Sequence, residues 1–508
     1  TAVAVALPEA CGPPPGAAPK YYISFNGSDI TGDGSRENPF ASPQGACFVL
    51  PGTEMALYYL GGEHIETPQV IDNTCAVTHL RLYPADDRMP HINTFIVESN
   101  STVQSISMCK IGGVGFSLTA PQGFDSNVLT VEGVDIVFLD AKRYYIGNVT
   151  NSHVLNIKSE SEYDFPKDVQ WNVKGLTGES LVIAYPFEDS FIPEQTKSSV
   201  NITDTTLTTR IEVNSRSIAI TGSHISVDNA QIASDKLLVS SSTFTIDPKG
   251  QGVGQHPFVV FARNVQINSS NFLASISPLI GVTDSCLISE CVFNGGRYNK
   301  GDTIQDNGAG AVSIYLLTEE LIESFPADTK ARLQRSRLGL NFTAGEENAI
   351  QVKNSFFENN IGFGAADIFL KSEKAELAKT KSVSIVGNTF AWTSSAPREV
   401  APLWYASKAD ETPKWNSFTI MENQITGSGL ECPNNGYSED GLGKCRGGGG
   451  GDSKKDNTAL IVGLVVGIVG AIILLGGIAF VVRRYRRRAQ ISAAYAHMLG
   501  GEGDDEAI

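Results

Sequence analysis

Amphipathic helices are what this chain most lacks. Over nearly all of its 508 residues no apolar stripe recurs at helical spacing, which excludes a helix bundle. Basic charge is short as well: 39 Lys+Arg stand against 55 Asp+Glu, a net charge of −16. That balance argues against nucleic acid as a partner, because no basic surplus is there to meet phosphate. Glycine is plentiful at 50 residues, yet aromatics reach 8%, so neither a disordered chain nor collagen fits. No C-x-x-C pair with histidine partners occurs, and a zinc site is not expected. The seven histidines (His64, His79, His91, His153, His224, His256, His497) share no spacing. His224, between two strand residues, reads as a solvated loop side chain.

One long apolar run exists. Thr458–Val482 is 25 residues without a charge, enough to cross a hydrocarbon core of about 30 Å as a helix. Arg483, Arg484, Arg486, Arg487 and Arg488 follow at once. Under the positive-inside rule they stay cytoplasmic and can meet anionic lipid. The expectation is a single-pass type I protein at a cell membrane, its N-terminus extracellular or lumenal. The tail adds Glu502, Asp504, Asp505 and Glu506, so +1 lies inside and −17 outside. Gly447–Gly451 form a flexible hinge before the span. The expected divisions are therefore residues 1–19 (residual signal or N-terminal segment), an ectodomain over 20–430, a stalk and linker over 431–457, a span over 458–482 and a tail over 483–508. The chain begins TAVAVALPEACG without Met; a removed signal peptide would put the mature start near Pro8.

All eight cysteines lie on the expected outer side, where disulfides persist. Cys432 and Cys445 enclose a short polar loop and are the pair expected to close a local staple; Cys286 and Cys291 read as small core residues. Candidate glycosylation sites are Asn26, Asn100, Asn148, Asn201, Asn268 and Asn341. Within the span, Ala459, Gly463, Gly467 and Ala471 recur every four residues, a stripe through which two helices could pair as a homodimer. In the tail, Tyr495-Ala-His-Met498 has the form read by clathrin adaptors.

The ectodomain carries a recurring unit instead of helical periodicity. Apolar residues stand first and third, a small residue sixth, and Phe or Ile eighth. The copies begin at Ile218, Leu237, Val265, Cys286, Ile350, Val383 and Phe418; their sixth residues are Ser223, Ser242, Ser270, Cys291, Ser355, Asn388 and Asn423. The eighth residues are Ile225, Phe244, Phe272, Phe293, Phe357, Phe390 and Ile425. Period two makes a strand with one buried face, and one unit cannot bury that face alone. Stacking units about 4.8 Å apart does so, whatever loop lengths separate them. The expected fold class is all-β: a right-handed parallel β-helix ectodomain with small helical insertions at Thr318–Leu338 and Leu370–Lys379, plus one C-terminal transmembrane helix.

Two stretches carry a family resemblance. Tyr22, Ser24, Gly27, Asp29, Gly32, Asn38, Pro39, Phe40, Ala46, Pro51, Gly52 and Gly61 match the opening pattern of pectin-lyase-fold proteins. Val352–Leu370, VKNSFFENNIGFGAADIFL, resembles the polymorphic outer-membrane-protein repeat, FxxN followed by GGA and an apolar residue; Asn307–Leu316 is similar to a second copy. Bacterial relatives with such repeats end in a β-barrel, whereas this chain ends in an apolar helical run. The resemblance implies polysaccharide lyases or glycoside hydrolases among the relatives. Of the hydrolase elements NTD, DD, GHG and RIK only Asp86-Asp87 occurs, and Pro84 and Pro90 make that a turn. Asp29 and Asp33, around a glycine turn, are weak calcium candidates. No catalytic residues and no other cofactor are expected.

The leading expectation is a surface protein for adhesion or for recognition of an extracellular glycan or cell-surface ligand. The alternatives are a membrane-tethered polysaccharide lyase or hydrolase, and a sorting or endocytic receptor.

Overall fold

The computed structural model describes residues 11–12, 19–49, 54–124, 126–160, 169–185, 198–226, 229–245, 258–273, 277–297, 309–317, 349–362, 365–372, 380–393, 403–406 and 417–427. The chain divides into two compact units, Thr1–Gly447 and Gly448–Ile508, and all described residues belong to the first. The hinge, the span Thr458–Val482, its Ala459–Ala471 stripe, the tail with Tyr495 and Met498, Asn341 and the pair Cys432 and Cys445 lie outside them. Among the described residues no helix is long and apolar enough to cross a membrane.

Among the described residues the protein is all-β, one 33-stranded, parallel-paired sheet. Its strands fall into three columns that the chain visits in turn. The first column runs from Lys20–Ile23 through Glu54–Tyr59, His79–Pro84 and Ser105–Cys109 to Ser417–Met421. The second holds short strands such as His64–Ile65, His224–Ser226 and Phe356–Glu358. The third includes Gln69–Ile71, Val312–Leu316 and Ile368–Ser372. This winding is compatible with a β-helix.

Register follows the apolar positions. Ile218 pairs with Leu237, Leu237 with Val265, Val265 with Cys286, Cys286 with Ile350, Ile350 with Val383 and Val383 with Phe418. The eighth residues line up in the second column, from Ile225 through Phe244, Phe272, Phe293, Phe357 and Phe390 to Ile425. Four successive phenyl pairs stack there at centroid separations of 5.0, 4.8, 4.9 and 5.1 Å. Each fully buried Phe contributes roughly 1.5–3 kcal/mol, and the stacking adds to it.

Between the first and second columns the chain turns through one left-handed residue. Lys110, Gly133, Asn151, Gly175, Asp204, Gly222, Ser241, Ser269, Glu290, Asn354, Gly387 and Glu422 all have φ between 48° and 69°. The N–H of each turn residue from Lys110 to Gly387 donates to a carbonyl of the next layer, as from Ser241 to Asn268 (3.2 Å). The following side chain points inward and accepts a backbone N–H from the layer before: Ser223 from Thr205, Ser242 from Ser223, Ser270 from Ser242, Ser355 from Cys291, Asn388 from Ser355 and Asn423 from Asn388. The small polar sixth position is thus a hydrogen-bond ladder satisfying buried turn backbone.

The helical insertion expected over Leu370–Lys379 is corrected at its start. Leu370, Lys371 and Ser372 are strand, pairing with Ile314, Tyr315 and Leu316. Buried Ile368, Phe369 and Leu370 favour the sheet over the helix that the later charges suggest. The helix among the described residues is Pro43–Val49, and Thr318–Leu338 lies outside them.

The two resembling segments stack in register. Ala309 bridges Ala365, and Val312, Ser313 and Ile314 pair with Ile368, Phe369 and Leu370. Buried Asn360 donates to the Phe293 carbonyl (3.0 Å) and to Asp367 Oδ1 (2.9 Å), while accepting the Gly296 N–H.

Candidate functional site

The interior is filled by apolar side chains, so chemistry is left to the outer faces. The opening motif that resembles pectin-lyase-fold proteins is spent on architecture. Asp29 Oδ1 accepts the N–H groups of Ala41 and Ser42 (both 2.9 Å), and Oδ2 accepts the Ser42 hydroxyl (2.6 Å). This clamp fixes the entry to the helix Pro43–Val49. Phe40 is buried, and Gly34, against which its ring packs, has φ 77°, a conformation suited to glycine. Asp33 Oδ1 accepts the Ser35 N–H (2.8 Å), and the Ser35 hydrogen bonds hold its carboxyl below the usual range. Among the described residues no group of three or more His, Cys, Asp or Glu side chains is placed to hold a metal ion. Asp86 accepts the Arg88 N–H (2.9 Å) and ion-pairs its guanidinium (3.2 Å) in a bend.

Disulfides join Cys11 to Cys109 and Cys47 to Cys75, two pairs for which spacing alone offered no preference. Cys11 is thereby tied to the first column, and the Tyr83 hydroxyl donates to the Gly12 carbonyl (2.9 Å) above a Tyr22–Tyr58–Tyr83 stack. Cys286 and Cys291 are buried free thiols. Burial pushes Cys286 up to about 12 and Cys291 up to about 11, so neither is a thiolate at neutral pH.

Three of the five described sequons share a column: Asn148 and Asn201 lie on first-column strands and Asn268 ends one, whereas Asn26 follows the strand Lys20–Ile23 and Asn100 lies in the loop between the strands His91–Val97 and Ser105–Cys109. None is on the second or third column. Asn26, Asn100 and Asn201 are exposed, whereas Asn148 and Asn268 are half-buried. The Asn148 side chain accepts from Asn172 (3.0 Å) and that of Asn268 from Ser289 (2.7 Å).

The outer face of the third column carries a charged strip. Asp140 pairs with Lys142 (3.6 Å), Lys158 with Glu160 (2.7 Å) and Arg210 with Glu212. Asp140 and Lys158 are also register partners on adjacent strands. The Glu160 hydrogen bond, with the charges of Glu160 and Asp140, holds the Lys158 ammonium above its ordinary range. At the edge of the strip Val114 (43% exposed), Val137 (42%) and Phe138 (41%) face solvent, and Gly115 opens onto empty space.

The histidines turn out to share a place that their spacing conceals. His64, His91, His153 and His224 all occupy the outward position opening the second-column strands, through the register His64–His91–Gly112–Asp135–His153–Thr177–Thr206–His224. The His64 and His91 rings lie 4.8 Å apart. Burial and the neighbouring His64 hold His91 below the usual imidazole range, against the opposing charge of Asp135. His224, read as a loop residue, opens a strand. The signal was its position after Ser223, the inward residue of the turn.

The chain matches no protein-family model, no curated protein and no solved structure.

Proposed function

We propose that this is a single-pass type I cell-surface protein whose ectodomain is a right-handed parallel β-helix for adhesion or for recognition of an extended extracellular glycan. The hand follows from the general rule that parallel crossovers are right-handed in about 98% of cases. The polymorphic outer-membrane-protein-like repeats, the signal segment and the membrane anchor belong to the same reading. So do glycans at the six sequons, lipid contact, self-association of the span, and Tyr495–Met498 as an adaptor signal, the feature on which the sorting-receptor alternative also rests.

The observation that carries the reading is the charged strip from Asp140 to Glu212, flanked by exposed Val114, Val137 and Phe138, on strands that carry no sequon among the described residues. An aromatic edge for sugar rings beside fixed acids and bases for hydroxyls suits a long polar chain. These carboxylates are engaged in ion pairs rather than poised as an acid and base pair.

The test is binding of the purified full chain, in detergent, to an array of extracellular polysaccharides and to cells. The expected result is binding that Phe138→Ala and Arg210→Ala each weaken by about tenfold or more, one such step being about 1.4 kcal/mol. Binding untouched by both changes would overturn the assignment of this face. Uronate release from polygalacturonate or alginate would overturn the adhesion reading in favour of the lyase alternative.

A further inference from the structure

The N-terminal end of the stack is closed by residues 24–49, and large apolar side chains face outward from that closure. The free edge of Lys20–Ile23 is covered by the loop that follows it. Ile23 bridges Phe40, the Tyr22 N–H donates to the Gly34 carbonyl (2.9 Å), and the Phe40 N–H donates to the Tyr22 carbonyl (3.0 Å). Glu63, at the start of the second column, accepts from the Ser24 hydroxyl (2.9 Å) and the Phe25 N–H (3.0 Å). The helix Pro43–Val49 closes the third column, through Gln44 Nε2 to the Val70 carbonyl (3.3 Å) and through the Cys47–Cys75 disulfide. On this cap Ile30 is 95% exposed, Phe48 75% and Phe25 58%, the three most exposed large apolar side chains among the described residues. The Ile30 loop and the helix meet at Gly45, where a side chain would begin 2.5 Å from Asp29 Oδ1. Phe48 and Val49 lie one turn further along that helix face.

We propose that this cap is a membrane-contacting tip that seats Phe25, Ile30 and Phe48 in the interface of a zwitterionic lipid surface. Exposed apolar patches mark protein or membrane contacts, and two features favour lipid. The first is a satisfied backbone, which lipid demands because it offers no hydrogen-bond partners. The N–H groups of Ile30 and Thr31 donate to Ser28 Oγ (3.3 and 3.1 Å), and that of Gly32 donates to the Ser28 carbonyl (2.8 Å). The Thr31 carbonyl accepts the Asn38 amide (2.9 Å). The edge strand is likewise covered rather than open to an added strand of a partner protein. The second feature is charge. The Asp29 carboxylate is turned inward onto Ala41 and Ser42. Across residues 20–49, Lys20 and Arg36 stand against Asp29, Asp33 and Glu37, a net of −1, which offers no attraction to anionic headgroups. Apolar side chains seated in the headgroup boundary then supply the binding. Fourteen register steps separate Lys20–Ile23 from Ser417–Met421, roughly 65 Å at about 4.8 Å per layer. With the span following that far end, the tip meets a second membrane. This last step rests on the single-pass reading, whereas the lipid contact stands independently of it and of the glycan reading.

The test is co-flotation of the full chain, held in nanodiscs, with phosphatidylcholine vesicles on a density gradient. The chain should float with the vesicles. Ile30→Ser and Phe48→Ser, both at exposed positions, should each weaken vesicle binding by about tenfold or more; circular dichroism checks that both remain folded. Leu238→Ser, at an exposed position in the middle of the first column, should change nothing. Asn26→Gln, which removes any glycan beside Phe25, should leave binding equal or stronger, and adding phosphatidylserine should not raise it. No flotation, flotation unchanged in both tip variants, or flotation lost in Asn26→Gln would overturn the proposal. So would a lipid-free dimer that Phe48→Ser dissociates, which would give the tip to a second copy. A chain that does not enter nanodiscs would fail the single-pass reading alone, and vesicle binding by the free protein then decides the tip.

Discussion

The outer face of the third column is built in two ways along one continuous sheet. Between Asp140 and Glu212 it is a solvent-facing strip of ion pairs. Further on, Phe261, Leu279, Tyr315, Leu317 and Phe369, with Ala309 and Ala365, form a second buried apolar cluster, and Lys371 lies 5.9 Å from the centre of the Tyr315 ring. The interior behind both is the same apolar core. Interior ladders therefore hold the layers together, while the outer face is free to carry ion pairs in one region and an apolar packing surface in another.

That contrast can be broken by substitution. The largest expected effect is on the shared interior: Phe293→Ala removes a ring stacked on both sides and should cost about 3–5 kcal/mol in chemical denaturation. On the outer face the two regions should separate. Phe369→Ala should cost about 3 kcal/mol because its ring is fully buried, whereas Phe138→Ala should cost under about 0.5 kcal/mol. Equal costs would mean that the two outer regions are built alike.

Next comes the turn ladder. Asn388→Ala leaves the Ser355 N–H without its acceptor and the Val352 carbonyl without its donor, a loss of about 1–3 kcal/mol.

The buried Lys381, 1% exposed, donates to the carbonyls of Thr283 (2.6 Å) and Asp284 (3.0 Å). Burial lowers its pKa despite the pull of Asp284. Between that depressed value and the ordinary lysine value of about 10.4 the unfolded chain holds a proton that the folded chain has released, so stability rises with pH. Thermal melts across this alkaline window should show that rise in the wild type and a flatter profile in Lys381→Met. The smallest effect belongs to the exposed strip: Arg210→Ala should cost no more than about 1 kcal/mol, and less in high salt.

Much of the fold was legible in the residues. Seven units repeat in the sequence, and the register joins their first, third and eighth positions. The same column continues toward the N-terminus, where Ile106, Leu129, Gly147, Trp171 and Val200 hold the first position. Those layers do not repeat the sequence pattern because their sixth residue is often apolar, as with Ile111, Val134 and Leu176. An inward turn position tolerates either an apolar side chain or a small acceptor, so polarity at the sixth residue is not a requirement of the fold. The disulfides were illegible for another reason. Cys11 and Cys109 are 98 residues apart yet meet because the segment at Cys11 packs against Ala56, Tyr83 and Cys109 of the first column, and no spacing rule carries that information.

Alternation of apolar residues, a polar turn and an aromatic eighth position determined by themselves that this chain would form stacked, one-face-buried strands. Those are local properties, repeated unit by unit, and any loop length satisfies them. Which residues become neighbours on the outside depends instead on how much chain each layer spends before returning to the column. Only the tertiary structure could therefore place His64 against His91, set Met89 beside Gly112, bring Asn148, Asn201 and Asn268 onto one column, and divide the outer third column into charged and apolar regions.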